Sequence, residues 1–297
     1  KRTTYQPQDT RLLAYYLMDG NGNDSSSFAN KGTLLGGLSG NQSQNCIIDN
    51  CLTFDGVDDF INTSIGNGLS LNVTGSDTME AGVNWINSSA GAATIASEGD
   101  GWTFERAAAS SSSMRFYVNN DKSATTSALT FGTWTHLAAV FNGSHIILYK
   151  NGNQDAITSV GAGYGGLNNS HYGLLIGSRY QGDSSRFFKG NIDEFAVYNY
   201  GKTAAEVQSD YANSPYSAMI YKGAAGYWHL DESGGTSGYA DASGNGNVGV
   251  PSQGTVNVSG IINGGVQFNG VTTTGNTINV SSSPSLNLTG SMSVAFW

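Results

Sequence analysis

The chain repeats its own opening, and this constrains the fold more than any other feature. Ala14-Tyr15-Tyr16-Leu17-Met18-Asp19 returns as Gly226-Tyr227-Trp228-His229-Leu230-Asp231. Asp24-x-Ser26-x-x-x-Asn30-x-Gly32 returns as Asp241-x-Ser243-x-x-x-Asn247-x-Gly249. Phe54-Asp55-Gly56-Val57 matches Phe268-Asn269-Gly270-Val271, and Leu71-Asn72-Val73-Thr74-Gly75-Ser76 matches Leu286-Asn287-Leu288-Thr289-Gly290-Ser291. Four blocks in one order mean one folding unit used twice. The spacing divides the chain into a leader at 1–11, a complete unit at 12–212, a linker at 213–223 and the opening part of a second unit at 224–297. A partial unit cannot bury its own core. Residues 224–297 are therefore expected to need strands from beyond Trp297 or from another chain, which makes self-assembly through the incomplete second domain one expected partnership.

Gly, Ser, Thr and Asn dominate and charge is sparse, the profile of many short strands joined by turns. A net charge of −9 argues against a nucleic-acid backbone or an anionic membrane as partner, since both need clustered Lys and Arg. No apolar run is long enough to span a bilayer. The first residue is Lys1 rather than Met, so the chain reads as processed or cut from something longer. Cys46 and Cys51 fall on Gly260 and Gly265 of the second copy, positions that read as the ends of a tight turn. Such a turn brings the thiols within disulfide reach, the favoured reading, which points to an oxidising compartment; two buried free thiols are the alternative, and a zinc site lacks further ligands. Asn-x-Ser/Thr sequons at Asn23, Asn41, Asn62, Asn72, Asn87, Asn142, Asn168, Asn257, Asn279 and Asn287 are glycosylation candidates and fit an extracellular or cell-surface location.

Period-two alternation begins at Leu12. Met79, Ala81, Val83 and Trp85 point one way and Glu80, Gly82 and Asn84 the other; Met114, Phe116 and Val118 alternate likewise. Trp134–Phe141, Asn142-Gly143 and Ser144–Tyr149 spell a hairpin, and Asn151-Gly152 marks another tight turn. Strands continue through Tyr172–Ser178 and Phe187–Tyr198. The one helical segment is 202–212, with Thr203 and Glu206 spaced as a capping box and Asn213-Ser214-Pro215 as its stop. About a dozen strands and one closing helix predict an all-β, antiparallel two-sheet sandwich.

Four stretches also resemble a known family, the laminin-G-like jelly rolls of the concanavalin A-like lectin/glucanase superfamily. They are Tyr16-Leu-Met-Asp19 with the Asp24-x-Ser26 loop, Leu52–Phe60, Trp134-Thr-His136 through Leu148-Tyr-Lys-Asn-Gly152, and Gly190–Asn199 with the helix after it. The resemblance covers residues 12–212, and residues 224–297 resemble only the opening of such a domain. It implies a jelly roll that is mostly non-catalytic, secreted or surface-bound, that binds glycans or surface proteins and often carries a structural Ca2+. It further implies that the first acidic loop and the Ile-Asp-Glu strand approach one another, with Asp24 and Asp193 as side-chain ligands and Asp241 the counterpart of Asp24. The residues themselves allow a second reading, in which Asp24 caps its own turn and Asp193 bonds nearby backbone. Asp55, Asp58 and Asp59 form an acidic turn, readable as another metal contact or as ordinary Asp-Gly turn chemistry.

Glucanases of this superfamily use Glu-x-Asp-x-x-Glu on one strand. Here Asn191-Ile192-Asp193-Glu194 lacks the flanking glutamates, and adjacent Asp193 and Glu194 are expected on opposite faces, so no catalytic residue is assigned. His136, His145, His171 and His229 form no motif. Aromatic residues in or near the Gly-rich loops, Trp102, Tyr164, Tyr172, Tyr180 and Phe187, are glycan-binding candidates, each with packing in the sandwich as the alternative. The leading function is thus a non-catalytic extracellular tandem jelly-roll protein for adhesion or recognition. A structural subunit of a filament, sheath or surface layer, and an accessory domain of a larger secreted glycoside hydrolase, are the alternatives.

Overall fold

The computed structural model describes residues 11–38, 46–47, 50–63, 71, 73–86, 93–99, 101–161, 164–168, 173–179 and 186–213 of a first unit. In a second unit it describes 225–228, 230, 238–241, 243, 245–252, 256–259, 264–268, 270, 277–290, 292 and 294. The units divide at Tyr216 and Ser217.

The first unit is two antiparallel sheets face to face. One contains β1 (Leu12–Tyr16), β14 (Lys189–Tyr198), β5 (Asp77–Trp85), β10 (Trp134–Phe141), β11 (His145–Lys150) and β12 (Asn153–Ser159) in that order, with β3 (Leu52–Asp55) also on β14. The other runs β2 (Thr33–Leu35), β4 (Phe60–Asn62), β13 (Leu175–Ile176), β6 (Thr94–Ser97), β7 (Trp102–Arg106), β8 (Met114–Val118) and β9 (Lys122–Thr125). The alternation in sequence becomes the layering. Met79, Ala81, Val83 and Trp85 from the first sheet meet Phe104, Met114, Phe116 and Val118 from the second in one core. The predicted hairpin forms in register, and Gly143 (φ 87°) supplies its left-handed turn position. Asn142 closes the turn, its Oδ1 accepting from the Ser144 and His145 N–H groups at 3.1 and 2.8 Å.

The outward side of the first sheet is buried too, beneath α1 (Ala204–Asn213). The capping box is reciprocal: Glu206 N–H donates to Thr203 Oγ1 and Thr203 N–H to Glu206 Oε2. Val207 packs on Ala138, Val140 and Tyr149. Beside them lies an ionic network. Lys202 Nζ stands 3.3 Å from Glu80 Oε1, pairs with Asp210 and sits 3.3 Å above the Tyr198 ring, while His136 Nε2 is 3.8 Å from the other Glu80 oxygen.

Strand β14 departs from the expected alternation. A bulge lies between Asp193 and Ala196, with Glu194 at φ 52°. Ile192 and Phe195, three apart, both enter the core, so Asp193 and Glu194 share the outward side instead of taking opposite faces. Both are buried and engaged: Asp193 accepts from Ile47 N–H at 2.9 Å, and Glu194 accepts from the Tyr15 hydroxyl.

The second unit pairs β15 (Gly249–Pro251) with β18 (Ile278–Val280) and β16 (Val256–Ser259) with β17 (Gly264–Gln267). Phe268, Leu288, Met292 and Val294 are exposed there.

Candidate functional site

The Asp24 loop is a hydrogen-bond knot. Oδ1 accepts from Tyr15 N–H and Ser26 N–H, both at 2.8 Å; Oδ2 accepts from the Ser26 hydroxyl and Asn30 N–H, both at 2.7 Å. Asn30 fixes the strand in turn: its amide donates to Leu13 O at 2.9 Å, and its carbonyl accepts from the Tyr16 hydroxyl at 2.5 Å. The same knot stands in the second unit. Asp241 accepts from Tyr227, Ser243 and Asn247 N–H, each at 2.9 Å, Asn247 donates to Ala225 O at 2.8 Å, and Trp228 Nε1 takes the place of the tyrosine hydroxyl on Asn247 O at 2.6 Å. Burial raises the Asp241 carboxyl, but the bonds from Ser243, Tyr227 and Asn247 outweigh it and hold it at about 2.

Four donors occupy the four acceptor directions of the Asp24 carboxylate, the geometry of a turn cap. Asp193 reaches the disulfide loop. Cys46 and Cys51 are joined, with their Cα atoms 5.4 Å apart, and Asp193 holds Ile47 inside that loop. Among the described residues, the group of three acids with metal-ligating proximity is Asp55, Asp58 and Asp59, within 4.8 Å of one another. It is a turn bonded to itself: Asp55 N–H donates to Asp59 at 3.0 Å and Val57 N–H to Asp55 at 2.7 Å.

The aromatic candidates separate. Trp102 corrects the sequence reading: at 1% exposure it lies in the core against Phe116, because its place on β7 alternates inward with Phe104. Tyr164 is half-buried on Phe141, its hydroxyl donating to Val118 O at 3.3 Å. Tyr172 and Tyr180 lie outside the described residues. Phe187 is half-exposed and pairs with Phe60 at 6.1 Å. Of the sequons, Asn23, Asn142, Asn168, Asn279 and Asn287 are exposed. Asn62 is buried at 1%, paired with Thr33 and Leu175 in mid-sheet, and so closed to an attached sugar. Asn41, Asn72 and Asn87 and the Asn257 side chain fall outside the described residues.

The outward face of the second sheet carries polar chemistry that motif reading missed. One register row crosses it: Asn62, Leu175, Ser97, Thr103, Tyr117 and Ser123. The next row holds Thr94, Glu105, Arg115 and Thr125. Glu105, 1% exposed, takes Arg115 at 2.9 Å and both Arg186 contacts at 2.8 and 3.0 Å. Tyr117 lies between the Arg115 and Arg179 guanidinium groups, 5.1 and 5.3 Å from its ring centre. Burial and then the Glu105 charge raise the Tyr117 hydroxyl above its ordinary range, against the lowering by Thr103, Arg179 and Arg186. Three of the chain's six arginines thus gather on one face of an acidic protein. The available signal was outward alternation of Thr103, Glu105, Arg115 and Tyr117; it says which residues share a face, and nothing about Arg179 and Arg186 arriving from the segment between β13 and β14.

Phe60 shares this face, since Ile61 beside it enters the core. From β4 to β8 is four strand spacings, about 19 Å. The arrangement is a shelf whose middle is closed: Ser97 and Thr103 are buried and bonded to each other at 2.8 Å, and Tyr117 is 8% exposed. What stays partly open is the Phe60/Phe187 pair at one side and the Arg115, Arg179 and Arg186 guanidinium groups at the other, which can meet a polar ligand by stacking and hydrogen bonds. A glycosidase needs two carboxyl groups flanking one bond, whereas this shelf matches Glu105 with arginines.

A search of curated proteins finds no match. Among solved structures, one described as HCR/D-Sa-GBL1/C is similar at TM-score 0.52 and 11% identity, over 71% of this chain and 53% of that one. The botulinum neurotoxin serotype C1 binding domain is similar at TM-score 0.51 and 14% identity, over 69% and 52%. The binding domain of botulinum neurotoxin serotype D/C VPI 5993 is similar at TM-score 0.50 and 14% identity, over 71% and 53%. The chain therefore spans about half the length of these structures, and at such identities the likeness is one of fold. The profile of laminin G-like domains in the Concanavalin A-like lectin/glucanases superfamily matches residues 55–208, a little over half of the chain. With two antiparallel sheets enclosing one core and that match spanning most of them, the chain belongs to the laminin G-like family of the concanavalin A-like lectin/glucanase superfamily.

Proposed function

We propose that this chain is a non-catalytic, extracellular recognition module, and that the outward face of its second sheet binds an extended glycan between Phe60/Phe187 and Tyr117. The observation that carries this reading is the combination on one face of a partly open aromatic pair, Phe60 with Phe187, and the partly open guanidinium groups of Arg115, Arg179 and Arg186 gathered around Tyr117. Aromatic faces stack on the apolar side of a sugar ring, while the arginines, held in place by Glu105, donate hydrogen bonds to its polar edge. The solved neighbours being binding domains agrees with this, as does the Cys46–Cys51 disulfide with an oxidising compartment. A surface protein is the alternative ligand for the same shelf. The test is a glycan array together with capture of candidate cell-surface ectodomains, using the wild type and Tyr117→Ala and Phe187→Ala variants. Glycan hits weakened by both substitutions support the proposal; hits unaffected by either place recognition elsewhere.

A second reading, assembly of units into a filament or surface layer, is favoured by the apolar side chains that the second unit exposes. Sedimentation of the full-length protein tests it: monomers across the concentration range count against assembly.

Asp24 and its counterpart Asp241 have the hydrogen bonding of turn caps, and the proposed recognition routes no step through an ion.

A further inference from the structure

The recognition face carries a concentration of positive charge that points to the kind of sugar it takes. Glu105 is buried, and two arginines meet it from the partly open side. Arg186 Nη1 approaches both carboxylate oxygens, at 2.8 and 3.0 Å, and Arg115 Nη2 approaches one of them at 2.9 Å. With Arg186 on both oxygens, Arg115 is the less engaged partner. That single bond to Glu105 is its hydrogen bonding among the described residues, its Nε–H has no acceptor there, and its side chain is 36% exposed. A guanidinium offers five donors, so most of this fork is unspent. Arg179 stands on the same tyrosine: the two guanidinium groups lie 5.1 and 5.3 Å from the Tyr117 ring centre, and Arg179 Nη2 is steadied by the neutral Asn120 amide oxygen at 3.2 Å. Asp121, in the turn that follows β8, pairs with Lys122 at 3.3 Å. On a chain of net charge −9, this is a local positive site built on a sheet and held from beneath by a buried carboxylate.

The opposite end of the face is different. Phe60 and Phe187 meet at 6.1 Å, and the acidic turn of Asp55, Asp58 and Asp59 leads directly into Phe60. An anion there would meet like charge, whereas an anion beside Tyr117 meets guanidinium forks that match its paired oxygens. We propose that the ligand is an acidic oligosaccharide, with a carboxylate- or sulfate-bearing residue on Arg115 and Arg179 beside Tyr117 and an uncharged ring stacked on Phe60 and Phe187. This rests on the recognition face proposed above and adds its ligand class. Glu105 is a positioning residue: it holds the Arg115 and Arg186 forks and leaves the anion to the donors they keep.

The test uses sets of oligosaccharides that differ at one terminal residue: a uronic acid, the same residue with its carboxyl reduced to the neutral alcohol, and that neutral residue bearing a sulfate ester. Binding to the full chain is read by calorimetry. The expected result is that an anionic member binds at least about tenfold tighter than the neutral one; which of the two anions binds tighter tells carboxylate from sulfate. Arg115→Gln and Arg179→Gln each remove most of that preference and leave the Kd of the neutral member within about twofold. Arg179→Gln leaves the Glu105 pairs intact, so its effect is read in a protein whose melting temperature matches the wild type. Phe187→Ala weakens charged and neutral members by the same factor. If all members bind equally and Tyr117→Ala weakens all of them, the recognition face stands and the acidic ligand is overturned. If the anionic preference survives both arginine substitutions, the anion is held elsewhere and the assignment is overturned. If no member of any set shows binding that depends on Tyr117, the recognition face itself fails, and this inference with it.

Discussion

Asp24→Ala tests whether the first acidic loop is a knot or an ion site. The substitution removes an acceptor of four bonds, three of them from main-chain N–H groups of Tyr15, Ser26 and Asn30. Each hydrogen bond to a charged acceptor contributes about 1.5–3 kcal/mol when its loss strands a buried donor. Tyr15 is buried in β1 and Asn30 is 8% exposed, so those two donors are stranded, while Ser26 is reached by water. The sum is about 3–6 kcal/mol, reduced to about 2–4 kcal/mol because Asp24 itself is only half-buried. For a unit of this size that is a Tm loss of roughly 5–15 °C. Asp24→Asn keeps the Oδ1 bonds and turns an NH2 group toward Asn30 N–H, so it should lose about half as much. Thermal and urea denaturation measure both, with chelator and with calcium. The reasoning fails if Asp24→Ala stays within about 0.5 kcal/mol of the wild type. It also fails if chelation destabilises the wild type and Asp24→Ala alone abolishes that response, since the carboxylate would then be acting as a ligand.

Three further outcomes follow from the same geometry. Replacing both Cys46 and Cys51 by Ala should lower stability by about 2 kcal/mol, the chain-entropy value for so short a loop, read from urea midpoints with and without reductant. Lys202→Met leaves Glu80 buried beside His136 and should cost about 3–5 kcal/mol, while Glu80→Leu with Lys202→Met recovers most of it in a double-mutant cycle; additive losses would contradict the ionic account. Asp241 has its carboxyl held at about 2 against an ordinary 3.8, so its contribution is present above the unfolded value and is lost as pH falls through the folded one. Amide exchange of Tyr227, Ser243 and Asn247 should therefore stay slow down to about pH 4 and quicken toward about pH 2; constant protection across that window would sink the assignment.

Local patterns were legible in the sequence wherever a short-range rule decided the outcome. The Met79–Trp85 alternation, the Asn142-Gly143 hairpin, the Thr203/Glu206 box and the disulfide turn each depend on residues a few positions apart. The Asp24 knot was legible as one of two readings, because an acidic residue two before a serine and six before an asparagine is turn chemistry with or without an ion. What the sequence concealed was long-range. Trp102 looked like a loop aromatic until pairing with β8 turned it into the core. Adjacent Asp193 and Glu194 came to share a side because β14 bulges, and Glu194 at positive φ announces no such bulge in its residue type. The arginine clasp brings Arg179 onto Tyr117, a residue more than sixty positions earlier. Periodicity marks faces, and only the folded topology says what covers them.

The claim that the second sheet's outward face is the recognition surface is tested most directly by titrating a bound glycan into isotopically labelled protein and following backbone and side-chain resonances. The account predicts that Phe60, Arg115, Tyr117, Arg179 and Phe187 shift together with one saturation curve, and that Tyr117→Ala, which removes the ring that the guanidinium groups flank, abolishes it. Saturable shifts confined to the loops at either end of the sandwich, with Tyr117 unmoved, would contradict it.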